Sequence, residues 1–290
     1  MNKFGRSYRL VIDPKDGGDE IVISLPLTIN FTVQRDTQAS LNHLDIDIYN
    51  LSESVRNRIF QDRFVRNDRT ITLEAGYDSL SQIYKGNIFY AHSWRNGTNI
   101  ITSISSLDGS FDVGQKMTFQ TLSAGSTIKE VLEYLVGDLT KNSNTLTRGA
   151  IGDFPDVLQR PVVLNGNTYD LIKKYSQGQV FIDMGRVYVL KNNEVIPGDL
   201  PLISPETGLL DTPKRDAAYL TVNTLFEPRV TTGQEVQLQS SILPVYNGQY
   251  KVLGVNHSGM ISAAVGRQCH SIFKLLTGSE IFGGYNQVNG

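Results

Sequence analysis

TITLEAGY (Thr70–Tyr77), YKGNIFYAHS (Tyr84–Ser93) and NIITSISSLDG (Asn99–Gly109) follow one another near the start of the chain. EVQLQS (Glu235–Ser240), YNGQYKVLGVNHS (Tyr246–Ser258) and VGRQCHSIFKL (Val265–Leu275) follow one another near its end. Both middle segments read Tyr-x-Gly, an alternating run, then His-Ser before a turn. Each triplet has the period-2 pattern of strands with one face in a core. The same β unit written twice predicts two equivalent barrels, an architectural arrangement more than a catalytic one.

Outward from these units the β pattern continues. Arg6–Ile12 and Asp19–Leu25 flank the turn Lys15-Asp16-Gly17-Gly18, while Leu27–Val33 and Leu44–Ile48 alternate apolar with polar residues. A short helix is expected after Ser52, with Val55, Ile59 and Phe60 as its apolar stripe. Between the β blocks the pattern changes. Thr127 and Glu130 form a capping box ahead of Ile128, Val131, Leu132, Leu135 and Leu139 at helical spacing. A second helix is expected over Thr168–Ser176, ended by Gly178, followed by a hairpin over Gln179–Asn192 turning at Met184-Gly185. The expected fold is mainly β with an inserted α+β module: a first barrel over 1–115, a small helix–helix–hairpin domain over 116–200, a second barrel over 201–277, and a flexible Gly- and Asn-rich tail over 278–290.

At 290 residues with 40% hydrophobic content, the chain can build more than one core. A formal charge of −2 argues against a tight sequence-independent grip on nucleic acid, which needs a basic face. A single cysteine, Cys269, excludes an internal disulfide, and no apolar run is long enough to span a membrane. Phosphate-cradling, dinucleotide, zinc-protease and serine-hydrolase motifs are absent. No catalytic, cofactor or metal site is expected. The four histidines are His43, His92, His257 and His270, and the expectation for His92 and His257 is a packed ring bonded to backbone.

Two groups of residues are candidates for surface roles. Asp45 and Asp47 alternate with Leu44, Ile46 and Ile48, so both carboxylates leave one strand face. Such a pair can do acid/base work, sit in solvent, or form an acidic channel wall that repels phosphate. Arg56, Arg58, Arg63, Arg66 and Arg69 lie together and are candidate subunit contacts. The strands Leu27–Val33 and Leu44–Tyr49 lack guarding prolines or inward charges, so a sheet continued from subunit to subunit is expected to cover them.

IDIYNLSESVRNRIF (Ile46–Phe60), ITLEAGYDS (Ile71–Ser79), IYKGNIF (Ile83–Phe89), SLDG (Ser106–Gly109), ISPETGLLDTP (Ile203–Pro213), LFEPRVTTGQEVQLQS (Leu225–Ser240) and NGQYKVLGVNHSG (Asn247–Gly259) together resemble the baseplate hub proteins of long-tailed bacteriophages. The resemblance implies two tail-tube-like barrels around a small α+β domain and a homotrimer whose six barrels face the hexameric tail tube. It also implies a trimeric central spike on the other side, other baseplate (wedge) proteins around it, and genomic DNA passing without specific binding. It implies a virion location, with assembly in the host cytoplasm, and no catalytic residues or cofactor. Gly76, Gly86, Gly109, Gly208, Gly233 and Gly248 map onto family glycines and are expected to be turn residues. Related modules begin tail-associated lysin proteins; here no appended lytic domain is expected, which favours a stand-alone hub. The alternatives are a tube or tube-terminator subunit, a cell-wall-degrading enzyme using Asp45/Asp47, and a carbohydrate-binding module, for which the lone Trp94 is poor support.

Overall fold

The computed structural model describes residues 5–38, 41–65, 68–216, 218–263, 268–277 and 285–289. The first lobe is built from β1 (Ser7–Ile12), β2 (Ile21–Ser24), β3 (Ile29–Asp36), β4 (His43–Tyr49), β5 (Thr70–Gly76), β6 (Leu80–Asn96) and β7 (Asn99–Leu107). Alternation in the sequence becomes alternation in space: Leu10, Ile12, Ile29, Phe31, Val33, Leu44, Ile46, Ile48, Ile71 and Leu73 all turn into one core. A helix, α1 (Glu53–Ile59), starts where Ser52 accepts a hydrogen bond from the Val55 amide, and it buries Ile59.

The middle segment opens with α2 (Ser110–Gln115) and β8 (Met117–Leu122), then α3 (Ile128–Thr140), β9 (Thr147–Ile151), β10 (Val162–Asn167), α4 (Thr168–Tyr175), β11 (Val180–Asp183) and β12 (Arg186–Val189). The Thr127–Glu130 box closes in both directions, at 3.2 and 2.8 Å. Below it Val131, Leu132, Leu135, Val136 and Leu139 are buried against Tyr169 and Ile172 of α4. The hairpin turns at Met184 and Gly185, both at positive φ, as a two-residue turn requires. A β8–β10 ribbon and a parallel β9–β12 pairing complete the module. The expected helix–helix–hairpin unit omits both, because β8, β9 and β10 are short and irregular in pattern.

Next come β13 (Glu194–Val195), β14 (Leu202–Ile203), β15 (Lys214–Asp216), β16 (Tyr219–Leu225), β17 (Glu235–Leu238), β18 (Gly248–Ile261) and β19 (Cys269–Leu276). Their hydrogen-bonded order is β15-β16-β19-β18-β17-β14. In the first lobe the order is β3-β4-β7-β6-β5-β1. Matched strand for strand, the two orders also run in the same chain order, so the lobes repeat one topology. They differ in that β14 and β17 are parallel where β1 and β5 are antiparallel, and in that β2 and α1 have no second copy. Of the segment 278–290, residues 285–289 are described, and there β20 (Asn286–Gln287) pairs in parallel with β13.

The two lobes share one 13-stranded sheet, because β3 pairs antiparallel with the outer half of β18 over eight residues, from Ile29↔Ile261 to Asp36↔Gly254. The edge of β3 is therefore covered by this chain's own second lobe, and β4 lies inside the sheet between β3 and β7. This corrects the expectation that a neighbouring subunit must cover them. The cores interlock as well. Phe226, Ile261 and Cys269 pack into the first-lobe cluster. The Phe226 ring lies 6.1 Å from those of Phe31 and Tyr77, and the Tyr77 hydroxyl donates to the Phe226 carbonyl at 3.0 Å. Replacing Phe226 by Ala should cost about 3–5 kcal/mol. Chemical denaturation followed by two probes, one in each lobe, should show both lobes losing stability together; a variant that weakens one lobe alone would show the cores to be independent.

Candidate functional site

The outward face of the sheet runs without a break across both lobes. On β4 the residues opposite the core are Asp45, exposed, and Asp47, half-buried. Asp45 is flanked by Thr32 on β3 and Ser105 on β7; Asp47 is flanked by Asn30 and Ser103. The Ser103 hydroxyl donates to the Asp47 carboxylate. The same cross-strand rows extend to Ser258 and Met260 on β18 and to Tyr90 and His92 on β6. Hydroxyls, amides and two carboxylates thus cover the seam where the lobes join. On the β6 side the row ends in a ladder of rings: Tyr90–His92 and His92–Trp94 stack at 5.2 Å, and the Arg63 guanidinium lies 5.2 Å over Tyr90.

The arginine group divides. The Arg69 side chain is buried and donates to the carbonyls of Asp13, Arg58, Ile59 and Phe60 and to Gln61 Oε1, at 2.9 to 3.3 Å. These include the free carbonyls at the end of α1, so Arg69 closes that helix and is removed from the candidate contacts. Arg58 pairs with Asp16 at 3.1 Å and donates to the Asp19 carbonyl, fixing the β1–β2 turn. Arg56 is half-buried on α1 and Arg63 is exposed; Arg66 lies outside the described residues.

A residue absent from the sequence candidates is the centre of the molecule. Arg35 occupies an inward position of β3, in phase with Ile29, Phe31 and Val33, and is 2% exposed. Its Nη1 contacts Asp183 Oδ2 at 3.1 Å, at the tip of the middle hairpin. Its Nη2 donates to the Val230 carbonyl at 3.1 Å and to His257 Nε2 at 3.4 Å, both in the second lobe. Asn42 Nδ2 and the Thr231 hydroxyl donate to Asp183 as well, at 3.2 and 2.8 Å. One guanidinium therefore joins the first lobe, the middle module and the second lobe. A charge in phase with a run of core residues is the sequence signal that marks such a position.

The environment fixes the protonation of its neighbours. A guanidinium only donates, so His257 Nε2 accepts and Nδ1 carries the proton toward Ser271 Oγ, 2.8 Å away. Burial first, then the Arg35 charge, hold the His257 imidazole well below its usual range. Burial first, then the Asp183 charge, push the Asp108 carboxyl well above the usual carboxylate range, while Gly185 N donates to its Oδ2 at 3.4 Å. His257 is packed as expected, but its ring bonds to side chains, not to backbone. His92 differs again, since it is exposed within the ring ladder. The shared His-Ser signature thus falls on opposite faces of the two lobes: a slip of one residue exchanges inside for outside.

Among the described residues no cluster of three or more His, Cys, Asp and Glu is placed to hold a metal, and no helix is long and apolar enough to cross a membrane. Cys269 is buried, with its Sγ 3.3 Å from the Met260 carbonyl, and burial raises its thiol.

Two in-order copies of one sheet, fused edge to edge around an inserted module, define a structural protein of phage-type tails. The chain belongs to the family described as Baseplate hub gp41, which matches residues 9–258. It is accordingly a tail component of a virion. Solved structures of similar fold include the 43 kDa tail protein of prophage MuSo2 from Shewanella oneidensis, with TM-score 0.59, 9% identity, and 93% of this chain and 98% of that chain covered. A tail protein from Neisseria meningitidis MC58 gives TM-score 0.60 and 10% identity, covering 94% and 97%. The E. coli c3393 protein gives 0.59 and 8%, covering 91% and 77%. That protein is a component of the type VI secretion system with structural similarity to the T4 tail proteins gp27 and gp5. No curated protein sequence matches.

Arg35→Met should destabilise the fold by about 3–5 kcal/mol, since it leaves Asp183 buried and unpaired; denaturation at neutral pH measures this. Asp108→Asn should act the other way. The folded carboxyl keeps its proton at pH values where the unfolded one, near ~3.9, has lost it, so stability falls as pH rises through that window. The variant should match the native chain at about pH 4 and exceed its melting temperature increasingly toward neutral pH. A variant less stable than the native chain at pH 8 would mean that Asp108 is ionised and paired.

Proposed function

We propose that three copies of this chain close into a ring that joins a sixfold tail tube to a threefold central spike and lets DNA pass through its bore. The observation that carries this reading is the β3–β18 seam. It is one lobe-to-lobe joint in which an edge strand of one lobe fills the outer half of the long strand of the next. By the internal repeat, β15 stands where β3 stands and β6 stands where β18 stands. Among the described residues two stretches therefore lack the partner strand that the seam supplies elsewhere: the edge of β15, and β6 beyond Ala91. The Ala91 amide and carbonyl are taken by Gln61, both at 2.9 Å, which leaves Ser93–Asn96 as the open slot. That slot is short, and so is β15, with three residues. Pairing β15 of one copy with β6 of the next continues the sheet head to tail, and a heterologous contact of this kind gives a ring when its rotation closes, here after three copies.

In the ring the outward face carrying Asp45, Asp47, Ser103 and Ser105 lines the bore, where its carboxylates repel phosphate and favour sliding over binding. Arg56, Arg63 and the ladder ending in Trp94 border the open slot on β6 and make the subunit contact, a composition typical of interface centres. The division into 1–115, 116–200 and 201–277 is used in this reading, supported by three apolar clusters that follow those segments apart from the shared Phe226, Ile261 and Cys269. Assembly in the host cytoplasm and contacts with wedge proteins belong to the same proposal.

Ser93→Pro tests it. By the period-2 alternation from Ala91, the Ser93 amide points to the open edge, so proline spares the β6–β7 backbone ladder, blocks the incoming strand and loses the Ser93–Thr102 hydroxyl bond, a loss that Ser93→Ala controls for. The native chain, alone or with its spike, should give a three-copy particle by light scattering, and the proline variant should stay monomeric with an unchanged circular dichroism spectrum. A stable six-copy ring would point to a tube subunit instead.

A further inference from the structure

Besides β2, α1 and the β14–β17 pairing, the two lobes differ in one surface connection. In the first lobe β5 passes to β6 through a tight turn, Tyr77–Ser79, and in the second lobe β17 passes to β18 through 239–247. The longer connection is built, not loose. Ser240 N donates to Asn247 Oδ1 at 2.6 Å, Leu243 N to Ser240 Oγ at 3.2 Å, and the Tyr250 hydroxyl to the Tyr246 carbonyl at 2.9 Å. A 3₁₀ turn, Pro244–Tyr246, forms its crest. This ordered loop holds Ile242 at 75% and Val245 at 79% exposure, and 239–250 contains no charged residue. Rigid apolar side chains held in water lose hydration entropy and gain no packing in return, which is the signature of a preformed docking element.

We infer that this loop is the hub's docking knob for a threefold-symmetric partner with an uncharged apolar cleft, the spike side of the assembly; the inference rests on the three-copy ring proposed above. The loop occurs once per chain, so a ring of six lobes presents it three times, and a sixfold tube could not meet it equivalently. It also lies at the same end of the sheet as the middle module, itself present once per chain. That module reaches β6 through Gln82 Nε2 to the Met184 carbonyl at 3.4 Å, and β18 through Lys251 Nζ to the Lys191 carbonyl at 2.7 Å. Both Gln82 and Lys251 sit on the halves of β6 and β18 that pair with β5 and β17, next to the turn and the loop. The loop and the middle module, each present once per chain, therefore gather at this end. The area is sufficient. Two such side chains expose on the order of 300 Å², so three loops offer roughly 900 Å², against about 800 Å² per partner in a standard interface.

The test uses the full-length chain carrying Ile242→Asp with Val245→Asp, co-expressed with the spike protein and, separately, with the tube protein of the same tail. The expected result is an unchanged three-copy particle and unchanged tube binding, with spike retention on the hub reduced at least tenfold. Undiminished spike retention overturns the inference and leaves the ring standing, as does loss of tube binding with the spike retained. A native chain that never forms a three-copy particle with either protein overturns the ring itself. If the aspartates prevent folding, Ile242→Ala with Val245→Ala takes their place, and unchanged spike retention in that variant overturns the docking role.

Discussion

Arg35 is the constraint around which the three parts of the molecule are arranged. Its charge is shut away from water, so every donor aimed at a partner matters, and the partners come from three distant stretches: Asp183 on a hairpin tip, Val230 on a connection and His257 on a strand. A buried ion pair contributes little net stability compared with well-packed apolar groups, but it is unforgiving of misplacement. What it secures is a defined relative setting of lobes and module. Asp108 fits this picture, because burial first and then the neighbouring Asp183 charge favour its protonated form.

Around that point the chain uses duplication economically. The seam between β3 and β18 is an internal joint, and the proposed ring reuses its geometry between molecules through the matching strands β15 and β6. Where the copies diverge, the divergence is local. The β5–β6 turn is tight enough that a side chain at Gly76 would meet the Ser79 carbonyl, whereas the equivalent connection in the second lobe has room for a 3₁₀ turn. The sheets thus carry the likeness between the lobes, and the connections and the inserted module carry the difference.

Much of this was legible in the sequence because period 2 and period 3.6 are read directly from apolar spacing. Leu44–Ile48, Ile71–Leu73 and the Thr127–Glu130 box fall where the pattern puts them. The repeat was visible through Tyr-x-Gly and His-Ser, yet the histidines mislead: His92 lies six residues after Gly86 and His257 nine after Gly248, an odd difference that puts His92 outside and His257 inside. Strand partners were not legible, since nothing local in β3 says that its neighbour lies in the last quarter of the chain. Arg35 escaped notice for a related reason. It looks like an ordinary polar end to an alternating strand until the faces are counted, and its partners cannot be guessed without the fold. Arg69 was grouped with surface arginines by proximity in sequence, although its role is to close α1 from inside.

The pairing of β3 with β18 also bears on the order of events during synthesis. Arg35 and His257 are 222 residues apart, and the ladder beside them closes only when the second lobe has left the ribosome. Until then the nascent first lobe carries a bare strand edge, a place where other chains can add themselves. A polypeptide cut short before β18 lacks the strand that finishes its first lobe, so its β3 edge has no internal partner.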